Sequence, residues 1–264
     1  KGVWNVGAPI GRRCLRKFGG DLLMILVNGV YPLSKPLLSA QVDPRAALTN
    51  KIEQAMNSAA ASYSGNFGWQ IIHYPAADMV LLNVPVAEGS KQQQYAMNAI
   101  TGAWCKFTGW DGNCIEVFDN ELYMGRDGVV SKIWSGYDDN GQNIVGISKT
   151  AFHYFSSRNK KAFKMAKPYI SSNGTPGVQV GLDMDYSDSG QFASITFAPP
   201  SESKWGVAKW GIGTWATGLQ TLKNWIGVSG LGLCAATRLK VASQGLDIHW
   251  QATDYLFESG SGVV

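Results

Sequence analysis

The sequence predicts an all-β protein, a partial β-propeller of four-stranded meanders followed by a small antiparallel β-sandwich-like domain. Three observations lead there. Short apolar runs of strand length alternate with polar turns along most of the chain. Glycine supplies 31 of 264 residues without a three-residue period, as closely spaced strand turns require and as collagen excludes. Two successive meanders begin about 46 residues apart, at Trp69 and Ile115, which is the spacing of propeller blades. The expected division is a propeller part at 1–147, with one inserted helix at about 43–62, and a sandwich part at 148–264.

The elements follow in order. Asp21 to Val27 is an apolar strand, Asn28-Gly29 a tight turn, and Val30 to Leu33 its return, with Pro32 suited to a strand end. Asp43 can cap a helix and Pro44 suits its first position. Ala47, Leu48, Ile52, Ala55, Met56 and Ala59 then recur at helical spacing. Strands are predicted at 67–74, 79–85, 94–100 and 103–107, one complete meander. The second meander runs through 114–118, 121–125 and 129–134, with Asp119-Asn120 as a turn. Stacked sheets bury their aromatic residues and shield strand edges that would otherwise aggregate.

After Tyr137 the texture changes. Strands are expected at 150–155, 163–170, 178–186, 231–241 and 246–257, with a basic turn or hairpin tip at 156–164. Trp205, Trp210 and Trp215 recur every five residues, which matches neither helix nor strand. This glycine-rich stretch reads either as a loop that lays indoles on a neighbouring subunit or as local packing, and Trp225 joins the same set of subunit-contact candidates.

Charge narrows the classes. The formal net charge is +4, and residues 1–164 carry 17 basic and 12 acidic side chains. That is far from the strong basicity of a dedicated nucleic-acid binder. No apolar run is long enough for a membrane-spanning helix, so no membrane insertion is expected. Four cysteines are too few for a disulfide scaffold and are expected as buried free thiols, although Cys105 and Cys114 can also be placed face to face on neighbouring strands. A chain opening on Lys1 is expected to be a fragment or a processed product.

No catalytic constellation emerges, and no enzyme activity, cofactor or metal is predicted. His73, His153 and His249 lie far apart, and no nucleophile sits in a recognisable elbow. Asp183, Asp185 and Asp188 form the densest acidic group, readable as a calcium site or as a solvated strand face and turn. Asn173-Gly174-Thr175 matches a glycosylation pattern without a secretory context. Two basic groups remain: Arg12 and Arg13 before the first hairpin, and Arg158, Lys160 and Lys161 at the predicted tip. Each can meet nucleic-acid phosphates or an acidic partner, or simply be solvated.

The stretch Thr101 to Trp110 (TGAWCKFTGW), Glu121 to Gly125 (ELYMG), Lys223-Asn224-Trp225 and Gly227-Val228 resembles tail proteins of tailed double-stranded-DNA bacteriophages. The similar proteins are packaged-DNA stabilisation or head-to-tail joining proteins, related to tail nozzle proteins. Gly19-Gly20-Asp21-Leu22 and Gly68-Trp69 match the family's opening hairpin and its Gly-Trp strand. The resemblance implies a structural role in the virion. It suggests a homo-oligomeric ring of propeller subunits below the portal, lining or closing the DNA channel and contacting other connector or tail proteins and, non-specifically, DNA in transit. It places the protein in the phage tail, and in the host cytoplasm during assembly. The alternative is a tail protein that binds a host-surface carbohydrate, which a concave pocket lined by tryptophan and carboxylate would favour. A propeller glycosidase is the third and least supported class.

Overall fold

The computed structural model describes residues 6–39, 43–126, 128–197 and 218–260, and the chain divides into two compact units between Ser135 and Gly136. Both units are built from antiparallel sheets, and none of these sheets closes on itself. The division expected after residue 147 moves forward because Ile144–Lys149 pairs with Ala235–Ser243 inside the second unit.

In the first unit, β1 (Leu15–Phe18), β2 (Asp21–Leu26) and β3 (Gly29–Pro32) form one small sheet. Its hairpin turns at Val27-Asn28, one residue before the expected position, because Leu26 pairs with Gly29. Gly29 instead opens β3 with φ +143°, where an added Cβ would come within 2.7 Å of the Thr49 hydroxyl oxygen. That hydroxyl accepts a hydrogen bond from the Val30 amide at 3.1 Å.

The same contact explains why the predicted helix over 43–62 is shorter than its periodicity suggested. Asp43 caps as expected, accepting from the Arg45 amide, and Pro44 occupies the first position of a 3-10 turn that ends at Ala46. Ala47 is then extended (ψ 131°), and a second 3-10 segment, Leu48–Ile52, lies against β3. Regular α-helix begins only at Glu53. A short helix α1 (Ser34–Ser39), not expected from the sequence, precedes this region, and α2 spans Glu53–Tyr63. Met56, Ala59 and Ala60 of α2 are buried. Two indole nitrogens tie the region to the neighbouring sheet: Trp69 Nε1 donates to Tyr63 O (2.8 Å) and Trp104 Nε1 to Leu48 O (3.0 Å).

Strands β4 (Gln70–Tyr74), β5 (Met79–Ala87), β6 (Lys91–Asn98) and β7 (Trp104–Thr108) form the first meander in sequence order. Strands β8 (Cys114–Phe118), β9 (Glu121–Arg126) and β10 (Val129–Ile133) form the second, turned at Asp119-Asn120, both with positive φ. The first meander is buried on both faces. Ile71, Val80, Leu82 and Val84 pack with α2, Leu23, Ile25 and Val30. Ile72, Tyr74, Met79, Leu81 and Ala96 pack against Ile115, Leu122, Met124 and Ile133 of the second meander. Three sheets thus stack face to face, as consecutive propeller blades do. Cys105 and Cys114 lie in different sheets, on β7 and β8. All four cysteines are free, but only Cys234 is buried: Cys14 is half-buried, and the other two are exposed, which corrects the expectation of four buried thiols.

A polar seam runs through this apolar stack. Gln70, Asn83 and Gln94 sit opposite one another across β4, β5 and β6, and all three are buried. Their carboxamides hold the backbone between the meanders. Gln94 Nε2 donates to Asn83 Oδ1 (2.7 Å) and Trp110 O (2.8 Å), and Asn83 Nδ2 to Gly68 O (3.0 Å). Gln70 brackets one residue, donating to Ile115 O (2.6 Å) while its Oε1 accepts from Ile115 N (3.0 Å). Gly112 passes close to the second meander, where a Cβ would lie 2.2 Å from Met124 Cγ. The connecting backbone supplies partners for most of these buried amide atoms, Gln94 Oε1 being left without one among the described residues.

In the second unit, β11 (Ile144–Lys149), β12 (Lys161–Ser172), β13 (Gly177–Met184), β14 (Ala193–Ile195), β15 (Gln220–Lys223), β16 (Ile226–Gly232), β17 (Ala235–Ser243) and β18 (Ile248–Ser259) make two sheets. One has the order β11-β17-β13-β14. In the other, β12 pairs with β15 and β16 along one edge and with β18 along the opposite edge. Their facing sides share one core, including Phe163, Ala166, Ile170, Val178, Val180, Leu222, Val228 and Leu239. This is a sandwich.

Two strand expectations are corrected in this unit. Among the described residues, 150–155 make only one bridge, His153 to Ala235, because the chain turns at Phe155-Ser156, both in the left-handed region, with Ser157 N bonded to Tyr154 O. The expected strand 231–241 breaks at Leu233-Cys234, whose amides donate to Asp185 Oδ1 (2.7 and 3.1 Å) rather than to a ladder. A side-chain acceptor competes with the sheet and ends the pairing.

Candidate functional site

The acidic group predicted on the sequence does not converge on one point. Asp183 is fully buried: Lys149 Nζ lies 2.9 Å from Oδ2, Arg238 Nη2 lies 3.4 Å from Oδ1, and the Ser189 amide and hydroxyl both donate to Oδ1 (2.9 Å each). Asp188 shares Lys149, whereas Asp185 points to the Leu233-Cys234 amides. These carboxylates therefore serve a salt-bridge network and a turn.

The network has a pH signature. Burial pushes the Asp183 carboxyl up, but Lys149, the Ser189 donors and Arg238 outweigh it and leave it below the usual 3.8. Its stabilising contribution is complete above the unfolded-state value, near pH 4, and is lost as pH falls through the lower folded-state value. The midpoint of urea unfolding should therefore fall below about pH 4, and Asp183→Asn should flatten that acid limb. Parallel acid limbs in the two proteins would contradict this account.

The basic candidates separate into structural and surface groups. Arg12 is exposed, with its guanidinium 6.0 Å from the Phe67 ring centroid. Arg13 lies 5.7 Å from the same ring and also donates to Gln70 Oε1 (3.2 Å), so it belongs to the polar seam. Arg158 and Lys160 are exposed near the predicted tip. Lys161 is not, which corrects its assignment to a surface for DNA or an acidic partner. It is fully buried, and its ammonium donates to Ser157 O (2.5 Å), Asn159 O (2.9 Å) and Leu233 O (3.1 Å). Those three acceptors leave it no face toward an outside phosphate.

Trp205, Trp210 and Trp215 lie outside the described residues. Trp225 is 41% exposed beside Lys167, whose Nζ sits 4.7 Å from the indole centroid. The histidines remain apart. His73 packs edge-on to Phe18 (4.7 Å), with burial and then Arg16 holding its pKa below the usual value, and His249 faces Asp247 at 3.1 Å.

The second unit also carries a groove of about 1080 Å³, lined by Tyr154, Phe155, Trp225, Trp250, Gln251 and Asp254 among others. Trp250 Nε1 donates to Ala252 O (3.1 Å) and the Thr253 hydroxyl (3.0 Å). Asp254 Oδ2 accepts from Tyr169 (2.7 Å) and pairs with Lys167 (2.9 Å). Of these residues the sequence singled out only Trp225. Trp250, Gln251 and Asp254 lie within one strand, and their gathering depends on the turn at Phe155-Ser156 opposite them. No protein-family model matches the chain, and comparison with curated proteins finds no match.

What remains uncovered is as informative as the groove. Among the described residues, strand β11 pairs only with β17, and all six of its residues are exposed. Ile144, Val145 and Ile147 are 47%, 57% and 64% exposed. In the first unit the edge strand β10 exposes Val129 and Val130.

Proposed function

We propose that the chain is a structural virion protein of a tailed bacteriophage, a subunit of a tail or head-to-tail connector ring that lines or closes the DNA channel. The observation that carries this reading is β11, an edge strand with exposed β-branched residues on both faces. A free monomer with such an edge is a template for pairing with another chain, and proteins that function alone blunt it with charge, proline or a covering loop. In an assembly the same edge becomes interface. The sequence resemblance supplies the kind of assembly, and the modest net charge suits a conduit in which DNA must slide rather than bind tightly. Its partners in this reading are further copies of the chain, other connector or tail proteins, and transient DNA at exposed cations such as Arg12, Arg158 and Lys160.

Light scattering of the purified chain tests this. The wild type should have the mass of a closed oligomer, and Val145→Lys combined with Ile147→Lys should reduce it several-fold while circular dichroism stays unchanged. A wild type that stays monomeric at tens of micromolar contradicts the proposal. The alternative role, holding a host-surface carbohydrate, has one specific observation on its side: the groove with Trp225, Trp250 and Asp254.

A further inference from the structure

We infer that the groove of the second unit is a binding subsite for a neutral pyranose saccharide, with Trp225 and Trp250 as apolar platforms and Asp254 and Gln251 as hydroxyl partners. This deepens the carbohydrate-binding reading and does not depend on ring assembly. A pyranose has one face of C–H groups and a rim of hydroxyls that both donate and accept. Its complement is an aromatic wall beside a few fixed polar atoms.

The groove supplies that combination. Trp225 and Tyr154 are 41% and 39% exposed, so aromatic surface is open at the site rather than consumed by the core. Lys167 pins the Trp225 indole and also pairs with Asp254, tying platform and carboxylate into one unit. The bonds from Lys167 and Tyr169 hold the Asp254 carboxyl below its usual range, so it is an acceptor at neutral pH. Both bonds fall on Oδ2, and among the described residues Oδ1 has no partner. Gln251 Nε2 donates to the Ser171 hydroxyl (2.9 Å), which orients the amide and leaves Oε1 as a second acceptor.

The opposite wall is built at a conformational cost. Phe155 (φ 49°) and Ser156 (φ 60°) form a tight turn in the left-handed region without glycine. Bulky residues persist there only where the surroundings hold them, and such strain gathers at functional sites. Paired with each other, Lys167 and Asp254 present no net charge that would select a cation or an anion, which favours a neutral ligand.

The test uses the full chain and three probes: oligosaccharides of glucose, of galactose and of N-acetylglucosamine, titrated while tryptophan fluorescence is followed. At least one should give a saturable change. Trp225→Ala and Asp254→Asn should each weaken it about tenfold or more, with circular dichroism unchanged. Trp225 and Asp254 are partly exposed, which makes them safer to alter than the half-buried Trp250. Saturable binding that both variants leave intact would overturn the groove assignment while sparing the broader carbohydrate reading. Failure of all three sugars would overturn both. A saturable fluorescence change with an aromatic peptide or with single-stranded DNA, and none with any sugar, would overturn the saccharide assignment and give the site to that ligand.

Discussion

Replacing Gln70 with leucine should destabilise the first unit by about 2–4 kcal/mol, because two buried main-chain groups of Ile115 lose their only described partner. Leucine has similar bulk, so a change in volume contributes little. The loss instead reports the cost of an unpaired N–H and C=O beside a side chain with no exposure. Arg13 would lose its Gln70 contact as well, although it lies nearer the surface and can turn to water. Urea unfolding followed by tryptophan fluorescence measures the effect. A loss under about 0.5 kcal/mol would show that water or a shift of the 109–115 connection satisfies Ile115, and that the seam does not join the meanders.

Lys161→Met should cost the second unit about 3 kcal/mol, from the loss of three charge-assisted hydrogen bonds at a fully buried site. Methionine matches the length and apolar stem of lysine, which isolates the ammonium. The three carbonyls belong to residues 157, 159 and 233, so the ammonium staples the start of β12 to the turn where Asp185 ends the pairing of β16. Lys160→Met is the internal control. It removes an exposed charge one residue away and should change stability by less than about 0.5 kcal/mol. Equal effects in the two variants would contradict the staple. The same pair separates stability from surface charge, since any DNA or acidic-partner contact at this tip belongs to Arg158 and Lys160.

The strand pattern was legible because its causes are local. The apolar run of β5, the alternation of β9 and the turn at Asp119-Asn120 need only neighbours in sequence, and the structure places them where run length, periodicity and turn chemistry put them. The inserted helix was half legible. Its periodicity is real from Glu53 onward, but the preceding turn is set by Thr49 against Val30, a contact that sequence spacing does not reveal. The polar seam was hidden for a related reason. Gln92 and Gln94 lie in the polar run Lys91 to Gln94, which gives no sign of burial, and only the approach of the 109–115 connection encloses them. Lys161 looked like the end of a basic tip because a lysine's burial depends on three carbonyls spread over 77 positions of chain, 157 to 233. The groove drew on β18, on Trp225 in the connection between β15 and β16, and on a turn where the sequence suggested a strand. Its one visible sign was an exposed tryptophan at 225, next to a lysine-rich strand.

Assembly is the central claim, and single-particle electron microscopy of the purified chain addresses it most directly. The account expects closed rings of cyclic symmetry in which Val145 and Ile147 of β11 are covered by a neighbouring copy. A uniform population of monomers, or rings that leave both residues in solvent, would contradict it.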